Sequence, residues 1–219
     1  MRTCDIVLIG VGGQGVVTIG DLIARAALAA DIPVSYVPTK GMAQRGGFVK
    51  VEIRLGREHA GPRVSEHSAD LVVSMERSEA LKGKGAVHPD GRFILYDHVW
   101  EPTGVMLGED DYPTEESVLA ALSQCARDVL VLNPDNRPTF DGKQVAANVY
   151  TLGAMFGTPI LRETIDPRVI ESVLLQRWPK AVEANGYALR AGLNMARNAQ
   201  LGNSPIGELQ TEGDLDDVG

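Results

Sequence analysis

The hydrophobic pattern opens on an unbroken apolar run, Ile6-Val7-Leu8-Ile9, that stops at a cluster of glycines. Asp5–Ile9 is predicted as a central parallel strand, buried on both faces and therefore without alternation. Beyond the glycines the period changes. Val16, Ile19, Ile23, Ala26, Ala27 and Ala30 recur at spacings of three and four, which predicts a helix over Val16–Ala30. Asp31-Ile32-Pro33 ends it, Val34–Val37 forms a second short strand, and Pro38 closes that strand. Strand, helix and strand in this order imply a parallel pair with a right-handed crossover. Phe48–Leu55 then alternates, with Phe48, Lys50, Glu52 and Arg54 on one face and Val49, Val51, Ile53 and Leu55 on the other. That is a strand with one wet face, near an edge or antiparallel.

The rest of the chain continues the alternation of strands and helices. After a polar loop over 56–68, Leu71–Ser74 reads as a buried strand and Glu76–Leu81 as a short helix. His88-Pro89-Asp90-Gly91 reads as a turn, and Phe93–Tyr96 as a strand ending at Asp97-His98. Glu101–Tyr112 is irregular and acidic. Thr114 is an N-cap, with Glu115 and Glu116 in the first turn of a helix running to about Arg127. Val129–Leu132 is the last strand, Asn133–Thr139 a turn-rich loop, and Gln144–Phe156 a helix. Asp166-Pro167 caps a helix to about Trp178, and another runs from Pro179 to about Leu201. From Gly202 the Gly/Asp/Glu-rich chain predicts a disordered acidic tail over 202–219. The expected fold is α/β and Rossmann-like: a mostly parallel sheet flanked by helices. It forms a single domain over residues 1–201, helical from about 142 on.

Composition narrows the function. Hydrophobic residues make up 44% of the 219 and aromatics 5%, so the core is largely aliphatic. A net charge of −8 argues against a nucleic-acid partner. No apolar run reaches membrane-spanning length, and because the chain enters a strand almost at once no signal peptide is expected. A cytoplasmic location is expected. Cys4 and Cys125 are the only cysteines, too few for an iron–sulfur cluster, and are expected as small hydrophobes.

The candidate chemistry sits in two glycine-rich segments. Gly10, Gly12 and Gly15 match G-x-G-x-x-G, with Gly13 and Gln14 inside the turn. Such glycines permit positive φ and close approach, and amides at the start of the following helix favour an anion. A dinucleotide reading requires an acidic residue at the end of the second strand, to hold the ribose. Pro38-Thr39-Lys40 occupies that place, and Asp31 lies before the strand. The second segment carries Lys40, Gly41, Met42, Gln44, Arg45, Gly46 and Gly47, without apolar periodicity. It follows the carboxyl end of the second strand, the edge where open α/β sheets bind ligands. A surface loop accounts for its composition equally well. His59, His67, His88 and His98 lie in separate loops or strand ends, none at ligand spacing from a Cys or carboxylate. Neither a metal site nor a complete catalytic set is read. Asp97-His98 holds a catalytic position by placement only.

Together, Gly10-Val11-Gly12-Gly13-Gln14-Gly15 and Gly41-Met42-Ala43-Gln44-Arg45-Gly46-Gly47 resemble the gamma subunit or domain of the 2-oxoacid:ferredoxin oxidoreductases. The form of the second motif is closer to the indolepyruvate branch, where this is the small subunit, than to the pyruvate branch. Residues 49–54, 69–74 and 148–153 fit as well, and the likeness spans roughly 4–195. It implies a non-catalytic subunit of a complex that decarboxylates a 2-oxoacid oxidatively to an acyl-CoA. It further implies a large partner subunit holding thiamine diphosphate, Mg and [4Fe-4S] clusters, with ferredoxin or another acceptor receiving the electrons. Coenzyme A is implied at the glycine segments, with Lys40 and Arg45 facing phosphate. The alternative is a free-standing Rossmann-like nucleotide-binding or sensor protein.

Overall fold

The computed structural model describes residues 2–41, 46–58 and 61–200; the expected tail lies outside them, as do Met42, Gln44 and Arg45. The elements, in chain order, are β1 (Cys4–Val11), α1 (Val16–Ala29), β2 (Val34–Lys40), β3 (Phe48–Leu55) and β4 (Ala69–Ser74). Then follow α2 (Arg77–Ala80), β5 (Val87–Tyr96), α3 (Thr103–Met106), α4 (Glu115–Ser123) and β6 (Asp128–Leu132). A hairpin of β7 (Thr139–Phe140) and β8 (Lys143–Gln144) precedes α5 (Ala147–Gly157), α6 (Pro159–Arg162), α7 (Pro167–Arg177) and α8 (Val182–Gln200).

Six strands form one sheet in the order β2-β3-β1-β4-β5-β6. β1, β4, β5 and β6 are parallel neighbours, and β3 is antiparallel to both β1 and β2. The expected β1–β2 pair therefore does not form. β3 enters between them, its alternating residues pairing Val11 with Phe48 on one side and Lys40 with Val49 on the other. Pro38 does not end β2 but sits within it, opposite Val51. β2 is an edge strand, and an edge tolerates a residue without an N–H.

β1 is buried along its whole length, as an unbroken apolar strand requires. Ile6 and Leu8 join the core beneath α1, α5, α7 and α8, whereas Val7 and Ile9 join a smaller core beneath α4. The polar face of β3 is not wet. Glu52 is 2% exposed, paired with Lys50 at 3.1 Å and accepting from the Val64 amide at 3.2 Å. Arg54 bonds Asp5 and the carbonyls of Gly61 and Arg63. The chain after β3 thus folds back over that face.

Three further expectations change. His88–Gly91 is no turn between elements but lies inside β5, where the register against β4 shifts between Ala69 and Leu71. α4 stops at Ser123, and Gln144 belongs to the hairpin rather than to α5. The Thr114 and Asp166 caps form as read, accepting from Ser117 at 3.2 Å and Arg168 at 2.9 Å.

α5 and α8 are in backbone contact. A Cβ on Gly153 would overlap the Leu189 carbonyl, and one on Gly192 would overlap the Tyr150 carbonyl. Glycine at both crossings lets the helix axes approach and buries Leu152, Met155, Phe156, Ala188 and Leu189.

Candidate functional site

The parallel strands end together. Val11, Ser74, Tyr96 and Leu132 finish their strands at one edge, where β2 also ends and β3 begins. This register carries both glycine segments to that edge. The Gly12 amide donates to the Gly47 carbonyl at 2.8 Å, and Gly46 donates back to Gly12 at 3.4 Å. Gly41 donates to Phe48 at 2.9 Å, which closes the base of the second segment. Of Lys40, the backbone is placed, at the end of β2.

Within the first segment the backbone turns on Gly13 and Gly15, at φ +108° and +81°. Gly10 is packed beneath, so that a Cβ there would lie 2.7 Å from Gln14 Oε1 and 2.8 Å from Val16. Gln14 holds the turn by accepting from the Val11 amide at 3.0 Å, and its Nε2 lies 3.3 Å from His98 Nδ1. Gly15 is the N-cap of α1 and provides no side-chain acceptor for the first-turn amides. Those amides lack intrahelical partners and suit an anion. Above them Gly13 is exposed, with open space where a Cβ would be. This is a backbone cradle, made of the Gly12–Gly15 turn joined to the Gly46-Gly47 backbone at a helix start.

Beside the cradle lies a polar cluster that the sequence reading missed. Glu76 is fully buried after β4. Its Oε1 accepts from the Trp100 amide at 3.3 Å and from the Tyr112 hydroxyl. Its Oε2 accepts from Ser78 Oγ and the Glu79 amide, both at 2.7 Å. Burial, then the Glu76 hydrogen bond and charge, pushes the Tyr112 hydroxyl well above its ordinary range. Arg77 clasps Asp97 with two bonds, Nε to Oδ1 at 2.7 Å and Nη2 to Oδ2 at 2.6 Å. The Asp97 hydrogen bond raises the guanidinium pKa.

These groups satisfy one another, and their effect is to fix backbone at the sheet edge. Asp97 and His98, placed at this edge by sequence, are accordingly a clasp and a partner of Gln14. The available signal for Glu76 was a charged pair, Glu76-Arg77, set directly after the apolar run of β4. Asn148 completes the cradle from α5, with Nδ2 2.5 Å from where a Gly15 Cβ would stand. The two cysteines are free, Cys4 buried and Cys125 partly so. Among the described residues no helix is long and apolar enough to cross a membrane.

Comparison with known proteins places this arrangement. Residues 5–195 match the family described as pyruvate ferredoxin/flavodoxin oxidoreductase. The indolepyruvate oxidoreductase subunit IorB of Archaeoglobus fulgidus is 34% identical over 192 residues, 88% of this chain and 94% of that protein. Its counterpart of the same name in Methanothermobacter thermautotrophicus is 34% identical over 193 residues, 88% of this chain and 97% of that protein. In fold, the chain is similar to pyruvate oxidoreductase subunit PORC from Thermotoga maritima. The TM-score is 0.65 at 20% identity, covering 89% of this chain and 97% of that one. It is also similar to part of 2-oxoglutarate:ferredoxin oxidoreductase from Magnetococcus marinus, solved with 2-oxoglutarate, coenzyme A and succinyl-CoA bound. Here the TM-score is 0.62 at 19% identity, over 90% of this chain and 31% of that one. The chain therefore belongs to the pyruvate ferredoxin/flavodoxin oxidoreductase family and is the small subunit of a 2-oxoacid:ferredoxin oxidoreductase.

Proposed function

We propose that the chain is the non-catalytic subunit of a thiamine diphosphate-dependent complex that decarboxylates an aryl 2-oxoacid, such as indolepyruvate, and that its glycine cradle binds coenzyme A. The observation that carries this reading is the Gly12–Gly47 junction. It joins the Gly46-Gly47 backbone to the glycine turn that leads into the uncapped start of α1, with open space at the Gly13 Cβ position. Backbone amides there suit a pyrophosphate, and the site needs no acidic ribose partner. Arg45, in the same segment by sequence, offers a planar two-pronged phosphate contact, and Lys40 a mobile charge. The indolepyruvate assignment draws on the relatives' names.

In this reading the large partner subunit holds thiamine diphosphate, Mg and the [4Fe-4S] clusters. That partner supplies the decarboxylation and passes two electrons to ferredoxin or another acceptor. This chain's part is to hold the pyrophosphate and orient the thiol arm for acyl transfer. The complex is cytoplasmic, and residues 1–201 fold as one domain.

Arg45→Ala in the assembled complex tests the coenzyme A role. The expected result is a raised coenzyme A KM with assembly intact, a loss of about 1.5–3 kcal/mol for a charge-assisted bond. If the variant complex dissociates while the remaining assembly keeps its coenzyme A affinity, Arg45 is instead an interface residue and the phosphate assignment falls.

A further inference from the structure

The segment between β5 and α4 is tied down at both ends by one carboxylate. Glu76 Oε1 takes the Trp100 amide at its start and the Tyr112 hydroxyl at its end. The Arg77 amide adds a bond to the His98 carbonyl at 2.9 Å. Between these anchors α3 and the Glu109-to-Gly104 backbone bond, at 2.8 Å, close the segment on itself. Such anchoring normally accompanies an apolar side turned inward. Here it is turned outward. Val99 is 42% exposed, Trp100 44%, Met106 73% and Leu107 67%. They are four of the seven large hydrophobics exposed among the described residues, all within one short strap. A patch of this kind marks an interaction site.

Its surroundings select the occupant. Glu101, Glu109, Asp110 and Asp111 are exposed on the same strap. A two-fold contact between copies would set these acidic residues against themselves, and nucleic acid or an anionic membrane would be repelled. A different protein, with an apolar pocket rimmed by Lys and Arg, fits both features. The chain is one subunit of an oxidoreductase complex, so such a protein is at hand. The strap is also continuous with the cradle, since Trp100 Nε1 lies 3.2 Å from where a Gly46 Cβ would stand.

We propose that the strap over residues 99–111 is the docking surface for the large subunit, anchored by Glu76 so that Met106 and Leu107 enter a basic-rimmed pocket. The inference rests on the small-subunit reading, and it puts the glycine cradle at the subunit junction. The test uses the full chain and its large subunit, mixed after separate purification. Met106→Asp/Leu107→Asp changes exposed side chains outside the cradle, so the isolated variant keeps the wild-type melting temperature. It is expected to bind the large subunit at least about 30-fold more weakly, as loss of central apolar anchors does, and added salt is expected to weaken wild-type assembly. Wild-type affinity in the variant overturns the strap and leaves the small-subunit reading standing. Self-association of the wild-type chain that the variant abolishes also overturns it, in favour of a contact between copies. Failure of the wild-type chain to bind the large subunit overturns the strap and the reading beneath it together.

Discussion

Gly15 faces Asn148 so closely that a Cβ on Gly15 would lie 2.5 Å from the amide nitrogen. The glycine is required twice, once by its φ of +81° and once by this contact. Gly13, two residues before it in the turn, is required only by φ, because the space where its Cβ would stand is open. Gly15→Ala is expected to destabilise the chain by about 2 kcal/mol or more, and Gly13→Ala by about 1 kcal/mol, from the left-handed backbone alone. Urea unfolding of both variants checks the order. Gly15→Ala/Asn148→Ala is expected to recover part of the loss, since it removes the contact and leaves the strain.

Gly192→Ala is expected to be harsher. Its added methyl would meet the Tyr150 carbonyl, a backbone atom with no rotamer to move into. α5 and α8 must separate, opening the core around Leu152, Met155 and Leu189. A loss of about 3 kcal/mol or more is expected by overpacking, read as a lower melting temperature. A variant as stable as wild type means that the helices slide without cost.

The local parts of this structure were legible in the sequence. β1, α1 and the Thr114 and Asp166 caps depend on neighbours a few residues away, and they form where the pattern put them. Both glycine segments were legible as one edge for the same reason, each following an apolar strand. Non-local pairing was not. The alternation in β3 read as a strand near an edge or antiparallel; it is antiparallel but interior, and nothing local reveals that it separates β1 from β2. Glu52 and Arg54 read as solvent-facing because the chain that covers them, Gly61 to Val64, comes after them. The role of Glu76 was not legible, because its partners Trp100 and Tyr112 stand 24 and 36 residues further on.

The Tyr112 hydroxyl gives a pH signature. Its folded pKa is raised above the ordinary tyrosine value of about 10. The hydrogen bond to Glu76 is therefore fully present below pH about 10. Above it the unfolded chain releases the proton while the folded one keeps it, so stability falls as pH rises. Tyr112→Phe is expected to flatten that alkaline decline and to lower stability near neutrality by about 1.5–3 kcal/mol, for a bond to a charged acceptor. Melting temperature against pH for both proteins measures the two effects. Parallel curves would mean that Glu76 holds the strap without this hydroxyl.

Gln14 links the cradle to His98 through a defined proton arrangement. Its Oε1 accepts from the Val11 amide at 3.0 Å, which fixes the side-chain amide with Nε2 as the donor. His98 Nδ1, 3.3 Å from that Nε2, must then be the acceptor, so the neutral ring carries its proton on Nε2. Long-range 1H–15N spectra recorded where the imidazole is uncharged are expected to show a His98 ring unprotonated at Nδ1. Gln14→Ala removes both bonds and is expected to cost about 1 kcal/mol for the turn. It frees His98 Nδ1, and the spectrum should shift toward a mixture of the two tautomers. Gln14→Glu keeps the Val11 bond but replaces the Nε2 donor with an acceptor, so His98 must turn its proton to Nδ1. A His98 tautomer unchanged in Gln14→Glu would show that the proton's place on the ring is not set by the glycine turn.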